Sequence, residues 1–105
     1  MIRGGWKNSR KHRDRLCVMA EILGIAMNGA LKTPIMYKAN LSFAQLNEYL
    51  PLLLEIGLLR NVNNGGKTVY KTTAKGLHYI QRHKEITALL TENENVLGKK
   101  PLKMP

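Results

Sequence analysis

Three uncharged polar side chains, Ser42, Gln45 and Asn47, stand within six residues of one another at the head of an apolar-periodic segment. Amide and hydroxyl groups so clustered suit hydrogen bonding to base edges, because Gln and Asn can pair with adenine through a donor and an acceptor at once, and Ser fits several edges. Cations lie on either side in sequence: Lys38 before the cluster, Arg60, Lys67 and Lys71 after it, and Arg10, Lys11 and Arg13 near the start. Such side chains meet phosphates, and an N-terminal arm carrying them can also reach a minor groove. Glu48 is close by; it could accept from cytosine, yet it repels phosphate. Gln45 has a competing use, since a Gln three residues after a Ser is the spacing of a capping box. Asn47 could equally serve a contact within its own protein. Tyr37 could donate to phosphate, but between Met36 and Leu41 it reads more readily as part of the core. Lys99, Lys100 and Lys103 read as a solvated tail.

No catalytic constellation is legible. His12, His78 and His83 have no paired carboxylate and no Ser or Cys at a motif spacing. Gly65-Gly66 precedes a strand pattern, so it is not a phosphate-binding loop, which opens a helix. Cys17 is the single cysteine. It cannot form an internal disulfide, and with scattered histidines a zinc site is not expected. The reading is a non-enzyme with no cofactor and no metal. No apolar run approaches the ~20 residues that span a bilayer, and Met1 to Lys7 lacks a signal-peptide pattern. A cytoplasmic, nucleoid-associated protein without a membrane partner follows as an expectation.

The balance of 17 Lys+Arg against 7 Asp+Glu, net +10 in 105 residues, favours a polyanion. At 44% hydrophobic the composition is that of one ordinary small domain. Residues 1–13 contain five Lys and Arg and no acid, and read as a flexible basic arm. Asp14 opens a helix whose apolar positions are Leu16, Met19, Ala20, Leu23, Ile25, Ala26 and Met27, closed at Asn28-Gly29. Ala30 to Lys32 is a link or a minimal strand. Thr33 caps a short helix beginning at Pro34 and stopping near Ala39-Asn40, and Ser42 opens the next. There Phe43, Leu46, Leu50, Leu53 and Leu54 share a face, Pro51 kinks without ending it, and Gly57 stops it. This layout is a helix-turn-helix or an αα-corner that only packs a core, and the local pattern fits both.

Leu58 to Val62 and Thr68 to Thr72 around an Asn-Gly turn predict a hairpin. Thr73 caps a last helix with Leu77, Ile80, Ile86, Leu89 and Leu90 as its apolar positions, and Gly76 allows it to approach the hairpin. The fold class is mainly α with a small β-hairpin (α+β), a winged helix-turn-helix with an extended C-terminal helix over 14–92, and a flexible basic tail over 93–105. Tyr79, His83, Ile86, Leu90, Asn93 and Leu97 are spaced alternately four and three apart, an a/d seam that predicts a homodimer. The alternative is that Ile86, Leu89 and Leu90 fold back on their own domain, against Trp6.

Three blocks in order, Thr33-x-Ile35 to Ser42, Leu53-Leu-Glu-x-Gly-Leu-Leu59, and Gly65-Gly-Lys-x-Val-Tyr-Lys-Thr-Thr-x-Lys-Gly76, resemble a small archaeal winged-helix family of predicted transcriptional regulators. These are similar to an archaeal chromatin-associated DNA-binding protein that dimerises through its C-terminal helix. The resemblance spans Arg15 to Leu90 and implies a double-stranded DNA partner. It leaves three expectations: a sequence-preferring regulator, an architectural DNA coater of weak specificity, or a winged-helix protein adapter.

Overall fold

The computed structural model describes residues 13–98, with side chains to Thr91. Asp14 caps helix α1 (Arg15–Ile25), its carboxylate accepting the Cys17 amide at 2.8 Å. The helix ends at Ala26, three residues before the expected glycine; Gly29, at φ +96°, turns the chain instead. Ala30 then pairs with Tyr70 through two backbone bonds of 2.8 and 2.9 Å. The minimal strand is therefore a single bridge, and it lies alongside the hairpin.

Helix α2 (Lys32–Lys38) begins earlier than expected. Leu31 occupies the cap without a side-chain bond, so Thr33 is no cap and Pro34 is the third helical residue. The bridge at Ala30 fixes the incoming chain, and helical geometry starts as soon as Leu31 has cleared it. Pro34 is harmless there because the first-turn amides have no helical partner. Asn40, at φ 56°, closes α2: its amide reaches Tyr37 O at 3.1 Å, and the Leu41 amide reaches Met36 O at 3.0 Å. That pair of bonds is a Schellman closure. Helix α3 (Phe43–Glu55) runs through Pro51, which is exposed, so the Asn47 carbonyl it leaves unbonded is on the solvent side. Gly57, at φ 79°, closes α3 the same way, with Leu58 N to Leu53 O at 2.9 Å and Gly57 N to Leu54 O at 3.1 Å.

Strands β1 (Leu59–Asn64) and β2 (Lys67–Thr72) pair antiparallel along their full length. The turn is Gly65-Gly66, not Asn-Gly, with φ of 61° and 83°. Two consecutive positive φ values make a type I′ turn, and glycine takes both without strain, so the ladder extends to Asn64 and Lys67. Helix α4 (Ala74–Gly98) is 25 residues long, about 37 Å at 1.5 Å per residue. Thr73 opens it, its hydroxyl accepting the Gly76 amide at 3.0 Å.

The core joins Val18, Met19, Ile22, Leu23 and Ala26 of α1 to Ile35 and Ala39 of α2, Leu46, Leu50 and Leu53 of α3, and Leu58 and Leu59. The apolar stripe of α1 is thus rotated from the expected one: Val18 and Ile22 are inside, whereas Leu16 and Met27 are exposed. Phe43 and Leu77 are also corrections, at 59% and 45% exposed, with Tyr79 and Ile80 packing where Leu77 was expected. The Tyr79 hydroxyl donates to Leu16 O at 2.6 Å, joining the two ends of the domain.

A Cβ on Gly76 would lie 2.3 Å from Leu58 O and 2.6 Å from Thr72 Cγ2, whereas one on helical Gly24 would meet nothing within 4 Å. Gly76→Ala is expected to destabilise by about 1–3 kcal/mol, as overpacking does. Gly24→Ala is expected to stabilise by about 0.5–1 kcal/mol. Urea unfolding of the two variants checks both signs; equal midpoints would refute the close approach.

Candidate nucleic-acid interface

Ser42 and Gln45 close a reciprocal capping box. The Gln45 amide donates to Ser42 Oγ at 3.0 Å, and the Ser42 amide donates to Gln45 Oε1 at 2.8 Å. This decides between the two uses of Gln45 in the free protein. What the box leaves available outward is donors: the two N–H bonds of the Gln45 amide and the Ser42 hydroxyl hydrogen. Donors alone suit phosphate oxygens or the O6 and N7 acceptors of guanine. The paired donor and acceptor that reads adenine would have to share Gln45 Oε1 with the Ser42 amide.

Leu46, Leu50 and Leu53 define the inner face of α3. At 100° per residue the opposite face is Ala44, Glu48, Pro51 and Glu55, all exposed, with Gln45 and Asn47 on its flanks. Helix α3 contains no Lys or Arg. Its outward face therefore becomes acidic beyond the first turn, and the positive end of its dipole and its donors sit together at the Ser42 end.

The cations lie on the elements before and after this helix. Lys38 is exposed at the last turn of α2. Arg60 and Lys71 are direct partners across the hairpin, and Lys67 faces Asn64. Alternation puts Arg60, Lys71 and Lys67 on one face, with Val62 and Val69 between them, while Leu59 and Thr72 point to the core. Like charges placed directly opposite repel, with Cβ atoms about 5 Å apart. All three are exposed.

Arg13 is not a free cation, contrary to expectation. Its guanidinium pairs with Glu21 and donates to Ala39 O at 2.7 Å and Asn40 O at 3.4 Å, so it is consumed in tying the chain start to the end of α2. Arg10 and Lys11 lie outside the described residues. On α4, Tyr79 is used within its own domain, and half-buried His83 stacks on it with centroids 6.2 Å apart. Ile86, Leu89 and Leu90 are 56%, 63% and 60% exposed, so they do not fold back on the described domain. The Leu97 side chain, like Trp6, lies outside the described part.

Two aromatic residues that pattern reading favoured for the core are exposed. Tyr37 is 73% exposed beside Lys38, and Phe43 projects from the first position of α3 with the Lys32 ammonium 4.6 Å from its ring centre. Periodicity assigned both aromatics inward; Lys32, the basic member of the pair, carried no pattern of its own. Cys17 is half-buried with Sγ 3.8 Å from Glu21 Oε2. Burial, then the Glu21 and Asp14 carboxylates, push its thiol up, so near neutral pH it stays protonated and poorly nucleophilic. Among the described residues no group of acidic, His and Cys side chains could hold a metal ion, and no helix is long and apolar enough to cross a membrane.

The family profile described as winged helix-turn-helix matches residues 12–91. An uncharacterized protein of Methanocaldococcus jannaschii is 33% identical over 79 residues, which are 74% of this chain but 36% of that protein's length. The chain thus spans about a third of that relative. The crystal structure of Sso10a-2, a DNA-binding protein from Sulfolobus solfataricus, superposes with a TM-score of 0.75 at 19% identity, over 89% of this chain and 98% of that one.

Ser42→Ala is expected to cost about 1 kcal/mol of stability, and exposed Asn47→Ala less than about 0.5 kcal/mol. Thermal or urea unfolding separates them. Equal losses would mean that the capping box contributes nothing in solution.

Proposed function

The chain belongs to the winged helix-turn-helix family, and from that premise we propose that it binds double-stranded DNA as a transcriptional regulator, without catalysing a reaction. The observation that carries this reading is the hairpin face on which Arg60 and Lys71 oppose one another with Lys67 beside them. Three cations on so short a ladder repel one another in the free protein, and a phosphate backbone relieves that repulsion. The first turn of α3 then enters the major groove, with the Ser42 hydroxyl, the Gln45 amide and Asn47 at base edges and Lys38 and Tyr37 at the backbone. Glu48 and Glu55 keep the later turns away from phosphate, so insertion is shallow. Arg10 and Lys11, which precede Arg13 in sequence, add phosphate or minor-groove contacts.

The acidic outer face of α3 also favours a second reading, an architectural DNA coater whose affinity comes from the wing. Titrations on regulated-promoter and random duplexes separate the two. For either, Lys67→Ala with Lys71→Ala is expected to weaken binding to every duplex and to lower the slope of log K against log salt by about two. An unchanged slope would remove the hairpin from the interface.

We also propose a homodimer through α4, with Ile86 and Leu90, followed by Leu97 in the same spacing, as the seam and His83 at its edge. Support comes from the exposed apolar stripe beyond the domain and from the gain of two DNA-binding surfaces in one particle. Sedimentation equilibrium at tens of micromolar should give a dimer for the intact chain and a monomer for Ile86→Glu with Leu90→Glu. A monomeric intact chain would overturn it. A cytoplasmic, nucleoid-associated location follows from DNA binding.

A further inference from the structure

The geometry points to Phe43, braced by Lys32, as a reader of the thymine 5-methyl group, and hence to a preference for A·T pairs that present it. This inference rests on the DNA-binding reading above. Phe43 is the first residue of α3 and is 59% exposed, although the apolar period of the helix assigned it to the core. The buried positions of α3 begin only at Leu46, one turn later. An exposed phenyl ring at the leading end of this helix adds no buried core contact to the fold.

The ring is also oriented. Lys32 extends from the first turn of α2, and its ammonium stands 4.6 Å from the ring centre, within cation–π range. Two consequences follow. One ring face is held toward a cation, which leaves the edge and the other face for a ligand. The same ammonium can meet a phosphate at the rim of the groove while the ring points inward. The neighbours strengthen the chemistry: Ala44 is small and exposed, and the capping box leaves Ser42 and Gln45 as donors.

An apolar ring demands an apolar target. In the major groove the thymine 5-methyl is the apolar group that base pairs display, and phenylalanine is among the side chains that contact it. Cytosine carries only a hydrogen at C5, and adenine and guanine present mainly N7, N6 or O6, so a phenyl ring there would gain little apolar contact and would desolvate donors and acceptors without replacing their bonds. Sequence preference thus arises at the one position of the helix end where hydrogen bonding cannot.

The test compares two duplexes of identical A·T-rich sequence, one with thymidine and one with deoxyuridine at every such position, so that only the methyl groups differ. Fluorescence anisotropy on the full chain should show the thymidine duplex bound about fourfold more tightly, the equivalent of one methyl removed from water. Phe43→Ala should bind both equally, while retaining its salt slope and, because the side chain lies outside the buried core, a cooperative unfolding transition. Lys32→Ala should fall between, losing one phosphate contact and part of the discrimination. Equal binding of the two duplexes by the natural chain overturns the inference while leaving DNA binding intact. A difference that persists in Phe43→Ala belongs to the duplex and overturns it too. Binding of neither duplex overturns the DNA-binding reading itself, and this inference with it.

Discussion

The fold depends on a junction where one helix ends against the beginning of another. Helix α3 ends at Glu55, and the carbonyls of the turn that leaves it, Ile56 to Leu58, need donors. The α4 entry supplies them: Lys75 Nζ reaches Ile56 O at 2.7 Å, Thr73 Oγ1 reaches Gly57 O at 2.6 Å, and the Thr73 amide reaches Leu58 O at 3.0 Å. The same Thr73 hydroxyl accepts the Gly76 amide, so one side chain serves two helix ends. Thr72, just before, is buried and bonded to Leu23 O at 2.6 Å. Both strands of the hairpin are thereby fixed at their roots, and the angle between wing and α3 is set by hydrogen bonds that cannot shift independently. Gly76 is the steric condition for all of them.

On this frame the charges are sorted by role. One arginine, Arg13, is spent internally at the negative end of α2, where a cation stabilises the last carbonyls. Lys38, Arg60, Lys67 and Lys71 stay exposed on the elements that precede and follow α3 in the chain, while the outer face of α3 is itself acidic. A helix read by its composition alone would look unsuited to a polyanion. On the proposed DNA-binding reading, this arrangement limits which part of the helix approaches: the wing attracts, the later turns repel, and the Ser42 end is the electrostatically acceptable one. Orientation follows from where charge is missing as much as from where it is present.

Much of this architecture was legible because helix ends are governed by local chemistry. Asp14, Ser42 with Gln45, Asn40, Gly57 and Thr73 each act at or next to the position read for them, since caps need only a few residues of context. The close approach at Gly76 was legible from a glycine early in a helix. Burial was less so. Leu16, Phe43 and Leu77 all fit a helical period, but in the first turn of each helix these side chains stay exposed. Val18 and Ile22 lie beside the expected stripe of α1 and became core because α1 is contacted by α2, the hairpin and α4, which widens its buried face. The start of α2 moved because a distant residue, Tyr70, held Ala30. The site was half legible: the cations of the wing could be chosen by type, whereas the Arg60–Lys71 pairing needs the strand register, and Lys32 against Phe43 needs two helices in place.

Helix α4 outruns the domain that starts it. Up to His83 it has neighbours; from Ile86 to Leu90 its apolar side chains have none within the described domain. A lone stretch of that length in water is a marginal helix, because propagation gains little without burial. Helicity beyond Glu85 and coverage of the stripe are consequently one coupled equilibrium. If the proposed homodimer covers the stripe, the far half of α4 becomes a concentration gauge: amide protons there should exchange fast in dilute solution and slow as the dimer forms, while those of α1 and α3 report only the stability of the domain itself.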